Sequence, residues 1–227
     1  MINIDDASLE FNGSVFAQRL ANATVNITNG GVARSVNGNA DLENVVFNGD
    51  SEGDTRRGFR FFGSFFKNNG TMTLGGDGVN SFDALRIGAT PYAFSGTGQM
   101  ILNHPAMTNP GAAPTISPTL AGVVLTNGAN HTIRGKYRVA TEMINLGTMT
   151  ADNPGETVQF VGAPLENRGT LRATNSGILE LRNDTIQSGG GGIDLDGGFL
   201  DFGGVGGGIA SLTGGSIAAS NGGKLLI

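Results

Sequence analysis

Several residue sets in this chain could do chemistry. Gly75-Gly-Asp77-Gly-Val-Asn80-Ser-Phe82 follows the calcium-binding nonapeptide G-G-x-G-x-D-x-U, with Asn80 in place of the aspartate. Gly189-Gly-Gly-Gly-Ile-Asp194-Leu-Asp196 fits it less well, with Asp196 where an apolar residue belongs. In such rolls an ion is shared between stacked copies, and these two lie 114 residues apart (189 − 75). They read first as glycine-rich corners, and calcium is the one cofactor kept open. Asp194, Asp196 and Asp201 alternate with Ile193, Leu195, Leu200 and Phe202, which sets the acids on an outer face. Two carboxylates at a set separation do general acid/base work on glycosidic bonds. Here one basic residue, Lys224, lies between Asn183 and Ile227, so an anionic polymer would be repelled there. His104 and His131 are the only histidines, with no G-x-S-x-G or H-E-x-x-H around them. Phe59, Phe61, Phe62, Phe65 and Phe66 crowd one stretch. Alternation puts one member of each adjacent pair outside, so Phe61, Phe62, Phe65 and Phe66 are a candidate interaction surface for sugars or a partner chain, with core packing the competing reading. Thr71-Met-Thr73 and Thr148-Met-Thr150 have the T-x-T form of ice-binding solenoids, which need it on nearly every coil.

The elements that must position these residues are legible from a repeat. Asn68-Asn-Gly70-Thr71-Met-Thr, Asn145-Leu-Gly147-Thr148-Met-Thr and Asn167-Arg-Gly169-Thr170-Leu-Arg share one phrase. The last two copies stay aligned through Asn153/Asn175 and Gly155/Gly177 at an offset of 22 residues (167 − 145, 175 − 153). Short alternating runs recur along the chain, among them Val25-Asn-Ile27, Val158-Gln-Phe160 and Leu179-Glu-Leu181, each punctuated by Gly, Asn or Asp. A fixed period of this length with short strands predicts a stacked β-solenoid, Met149 over Leu171 and Ala151 over Ala173. Asn145 and Asn167 are expected to stack at equivalent left-handed corners and bridge coils through their amides, with Asn68 at the same kind of corner. Gly197-Gly, Gly214-Gly and Gly222-Gly each precede an apolar run and read as corners. Two irregular insertions are expected. One is 49–67, where mixed charges precede the phenylalanines. The other is 103–119, which holds Pro105, Pro110, Pro114 and Pro118 and should leave the solenoid as a removable loop. Ser14–Ala21 is the only weak helical candidate.

Composition agrees. Gly numbers 39 of 227 residues, over twice the usual share of about 7%. Charged residues make up 15%, against roughly 25% in ordinary domains. The net charge of −5 leaves no basic stripe for phosphates and argues against nucleic acid as a partner. With no Cys, disulfides and thiolate metal sites are excluded. No apolar run is long enough for a bilayer span of about 18 residues, so no membrane insertion is expected. Met1-Ile-Asn-Ile-Asp-Asp has neither the basic nor the apolar region of an export signal. Strand-like residues at each end lead to the expectation of a fragment of a longer array, one solenoid over 1–227.

Leu125-Thr-Asn-Gly-Ala-Asn-His131-Thr-Ile-Arg-Gly135, followed by the Asn145 and Asn167 phrases, resembles the passenger and stalk repeats of large secreted bacterial adhesins of the autotransporter and filamentous-haemagglutinin-like type. The resemblance covers roughly 96–227 and specifies a repeat class. It implies a right-handed parallel β-helix, exported to the surface of a Gram-negative-type cell and serving as stalk, adhesin or filament subunit, with no catalytic residues. The expected partners are further coils or copies end to end, and surface glycans. The alternative is a carbohydrate-active or carbohydrate-binding β-helix of the polysaccharide-lyase kind. A lyase would need a basic groove beside its carboxylates, a binding module exposed aromatics.

Overall fold

The computed structural model describes residues 1–11, 18–35, 40–54, 59–75, 85–88, 91–102, 114–203 and 211–226. Among them there are strands, turns and bends and no helix, and the named strands pair in parallel. A regular coil carries three short strands. In one coil these are Thr157–Phe160, Leu165–Asn167 and Thr170–Thr174, and the next coil repeats them as Ile178–Leu181, Thr185–Gln187 and Gly192–Asp196. Like strands stack on like, giving three faces. Ten strands make up the third face. The first two faces join into one sheet because Ala40–Asn48 and Phe59–Asn68 run unbroken round the corner between them.

The 22-residue repeat sets the register. Met149 pairs with Leu171, Ala151 with Ala173, and Asn145 with Asn167. Alternation does the rest: in Thr148–Ala151 and Thr157–Phe160 every second residue is buried. Inward residues of successive coils therefore lie on one another, as in the column Met72, Met100, Ile133, Met149, Leu171, Ile193, all buried. Close stacking also fixes the corner glycines. A Cβ on Gly169 would run into the Gly147 carbonyl oxygen, and one on Gly70 into that of Gly49.

The described parts of 49–67 belong to the solenoid rather than to an insertion. Ser51–Asp54 pairs with Val32–Ser35 and Thr71–Gly75, and Phe59–Asn68 pairs with Ala40–Asn48. Two of the charges that look irregular in sequence, Glu52 and Arg60, are outward residues matched across coils. Glu52 meets Arg34, and Arg60 grips Asp41 with Nε at 2.6 Å and Nη2 at 2.8 Å. Residues 55–58 lie outside the described residues.

The stretch 103–119 is divided. Residues 103–113, with His104, Pro105 and Pro110, lie outside the described residues. Thr115–Pro118 is a strand paired with Leu85–Ile87 and Tyr137–Val139, and its Ile116 is fully buried. Pro114 precedes the strand and Pro118 ends it, where a missing N–H is tolerated. The removable loop expected over 103–119 therefore does not include Thr115–Pro118, which belongs to the solenoid. Within the helical candidate, Gln18–Ala21 is a strand.

Candidate functional site

The phenylalanine cluster separates at a bulge. Glu43 pairs with Phe62 and Val45 with Phe66, so Asn44 alone opposes Gly63, Ser64 and Phe65. Asn44 takes a left-handed backbone (φ 51°), as does Asn22 one coil earlier. The corner resets the inward phase, which is why two Phe-Phe pairs flank it. Phe61 before it and Phe66 after it are fully buried, with ring centroids 5.0 Å apart, in a core that includes Phe47, Tyr92 and Phe94. Phe62 and Phe65 are half-buried on the outside, and Arg60 lies 5.7 Å from the Phe62 ring centroid. Phe65 forms part of the wall of a recess of about 360 Å³ that also meets Asn22, Thr24, Asn44, Val46 and Ser64. The amides there hold one another. Asn44 Nδ2 donates to Asn22 Oδ1 at 3.2 Å, and the Ser64 N–H donates to Asn44 Oδ1 at 2.8 Å.

The asparagines of the repeat phrase point into the solenoid. Asn127 Nδ2 donates to Asn145 Oδ1 and Asn145 Nδ2 to Asn167 Oδ1, both at 2.8 Å, and Asn167 Nδ2 donates to Gln187 Oε1 at 3.3 Å. Asn127, Asn145 and Asn167 are completely buried, and Gln187 is nearly so. None of the four has a positive φ, so the expected left-handed corners are absent and the amides end face-two strands from within. The expected bridging of coils is present. Asn68 shares the role. Asn68, Asn127, Asn145 and Asn167 each donate to the carbonyl that opens the third-face strand of the next coil, at Gln99, Thr148, Thr170 and Gly192. Gly70, Gly147 and Gly169 occupy the turn after each amide, and Thr71, Thr148 and Thr170 begin the outward column that follows. Thr132, Thr148 and Thr170 stack there, but the column beside them runs Arg134, Thr150, Arg172, so no flat two-column threonine surface forms.

His131 closes this row. Its Nδ1 lies 2.8 Å from Asn127 Oδ1, the ring packs on Phe94, and Nε2 is buried without a partner among the described residues. Asn127 Oδ1 accepts, so Nδ1 carries the proton and Nε2 is the basic nitrogen. Burial lowers the pKa from 6.5 to about 4. A folded-state pKa below the unfolded value means the unfolded chain binds the proton first. Stability is thus full above pH 6.5, falls as pH drops, and levels off below about 4. The shift corresponds to about 3 kcal/mol. The expected result is a urea midpoint that falls between pH 6.5 and 4 in the native chain and falls distinctly less in His131→Gln. Equal pH slopes for the two chains would remove His131 from the account.

Among the acids, Asp194 and Asp196 are half-buried on the third face, and the preceding coil supplies the cation that the sequence seemed to lack. Arg172 lies 3.1 Å from each carboxylate. Asn221 Nδ2 donates to Asp196 Oδ1 at 2.6 Å and, with Ser220 and Arg172, holds that carboxyl below its ordinary range. Asp201 sits on another face, in register with Glu180. Asp77 and Asn80 lie outside the described residues. Among the described residues no three His, Cys, Asp or Glu side chains cluster as metal ligands would.

Sequence reasoning missed a second, external amide row. Asn69 Nδ2 donates to Asn48 Oδ1 at 2.7 Å, Asn48 to Asn26 at 2.8 Å, and Asn26 to Asn3 at 2.9 Å. Its signal was present as an asparagine every 21 to 23 residues. Compared with family models, curated proteins and solved structures, the chain matches none.

Proposed function

We propose that this chain is a structural and adhesive segment of an extracellular β-solenoid, a stalk at the surface of a Gram-negative-type cell, without chemistry of its own. The observation that carries the reading is how the outer faces are used. Arg34–Glu52, Asp41–Arg60, Arg134–Asp152, Lys136–Glu156 and Arg172–Asp194 each tie one coil to the next. Single exposed pairs contribute little, at most about 1 kcal/mol each. Repeated along a rod whose coils touch only their neighbours, they resist slippage of one coil over another. Stacking on further coils, from this chain or another copy, is part of the proposal.

The second reading, a polysaccharide lyase or hydrolase, draws on Arg172 between Asp194 and Asp196. Against it stands the state of Asp196: a carboxylate held ionised by Asn221, Ser220 and Arg172 is poorly suited to pick up and deliver protons near neutral pH. The test is incubation with polygalacturonate, alginate and neutral glycans, with and without calcium. No new reducing ends or unsaturated products are expected. Turnover that vanishes in Asp194→Ala or Asp196→Ala overturns the structural reading.

A further inference from the structure

We propose that the recess at the Asn44 bulge binds a neutral carbohydrate chain, with the Phe65 ring taking the apolar face of a sugar and Asn22, Asn44, Ser64 and Thr24 taking its hydroxyls. The proposal rests on the adhesive half of the reading above and gives it a ligand class and a place.

The bulge is the first argument. A regular coil would run straight through this corner, and its outward side chains would lie in flat columns. Here one residue, Asn44, faces three on the next coil. Bulges of this kind re-aim side chains. Gly63 bends (φ 80°), Ser64 is thrown outward, and Phe65 is left half-exposed beside Val46 while its neighbour Phe66 is buried. Ser64 stays exposed while it donates to Asn44 Oδ1, and one side of Phe65 stays open.

The second argument is preorganisation. Asn22 and Asn44 hold left-handed backbones, which cost non-glycine residues energy and persist where surroundings impose them. Their amides are fixed by the bond between them and by the Ser64 N–H. An asparagine amide has two donors and two acceptor lone pairs. The Asn44–Asn22 bond uses one donor of the first and one lone pair of the second. The Ser64 N–H and hydroxyl both donate to Asn44 Oδ1, which leaves one donor on Asn44 and two donors and one lone pair on Asn22, on groups already held in place before binding.

The third argument is chemical class. The recess is lined by amides, hydroxyls, short apolar groups and one ring, with no charged side chain. At the rim, Glu43 is occupied by Arg19. A pyranose has an apolar C–H surface and an edge of hydroxyls that both donate and accept. That pattern matches an aromatic wall beside amide groups. At about 360 Å³ the recess stands at the small end of ligand sites, which suits one or two sugar rings. Asn22, Asn44 and Ser64 belong to three successive coils, about 4.8 Å apart, a step comparable to one ring of a linear glycan.

The experiment uses the whole chain, at 23.2 kDa accessible to amide-resolved NMR, with cellohexaose, chitohexaose and mannohexaose as neutral probes and hexagalacturonate as the anionic one. At least one neutral hexaose should shift the amides of Asn22–Thr24, Asn44–Val46 and Ser64–Phe65 while those of Met149 and Leu171 stay in place. Phe65→Leu keeps the apolar volume and removes the ring face, and Asn22→Gly suits the left-handed backbone and removes the amide. Each should weaken binding roughly tenfold. The proposal fails if no neutral hexaose shifts these amides at about 10 mM, if the shifts map to another face, if both variants bind unchanged, or if hexagalacturonate binds the recess more tightly than every neutral probe. None of those results bears on the turnover experiment, so failure of the ligand assignment and failure of the structural reading remain separable.

Discussion

Asn145→Leu should cost this solenoid about 4 kcal/mol, although leucine has the same branched side chain of four heavy atoms as asparagine. The loss comes from the groups left behind. Asn167 Oδ1 and the Thr170 carbonyl lose their donor, and Asn127 Nδ2 keeps only long contacts to the His131 and Thr148 carbonyls at 3.4 Å. Each buried polar group stranded in this way costs about 1–3 kcal/mol. The external row provides the control. Asn48 makes the same amide-to-amide bonds while half-exposed, and water can replace them, so Asn48→Ala should change stability by no more than about 0.5 kcal/mol. Urea unfolding of the two variants measures both, and native-state hydrogen exchange should place the Asn145→Leu damage in the coils around it. Equal losses for the two variants would mean that the buried row contributes nothing special.

Met149→Asp should do more, at about 5 kcal/mol or outright loss of the neighbouring coils. Met149 is fully buried between Ile133 and Leu171, which are fully buried as well. A carboxylate there meets no cation and no donor and would remain protonated. Its pKa is therefore raised relative to the unfolded chain, and the deficit against the native protein should shrink as pH falls. Met149→Leu, which conserves volume, should cost less than about 1.5 kcal/mol. A Met149→Asp chain with native midpoint and amide spectrum would show that the stacked column is not the core.

What the sequence conveyed, and what it hid, follows from how a coil is built. Strand register was legible because inward columns need similar residues at a constant offset, as Met149 and Leu171 show. The amide row was half legible. Asn145 and Asn167 stand 22 apart, but Asn127 precedes them by 18 and Gln187 follows by 20, because corner lengths differ between coils. Its backbone was misread, since Asn followed closely by Gly resembles a turn. Here the turn belongs to the glycine and the amide belongs to the core. The 49–67 stretch looked irregular because a cross-coil pair such as Asp41–Arg60 puts its halves 19 residues apart, and each half alone is only a charge among charges. The recess was the least legible. A bulge replaces one residue by three, and no periodic pattern announces where it falls. The phenylalanines flanking it were visible, though their division into core and wall was not.

The buried amides have one more property. From His131 through Asn127, Asn145 and Asn167 to Gln187, every link donates in the same sense, towards the C-terminal end. The row outside, from Asn69 to Asn3, donates the opposite way. Such a row behaves like a line of coupled spins. Turning over one buried amide sets donor against donor on one side and acceptor against acceptor on the other, and turns its oxygen towards a backbone carbonyl, so no amide can turn alone. The imidazole at its head can hand a proton in only one direction while Nε2 stays bare. The carbonyls of Thr148, Thr170 and Gly192, each of which takes an N–H from one amide, fix the same sense coil by coil, so the tautomer at the head and the backbone along the row agree on one direction.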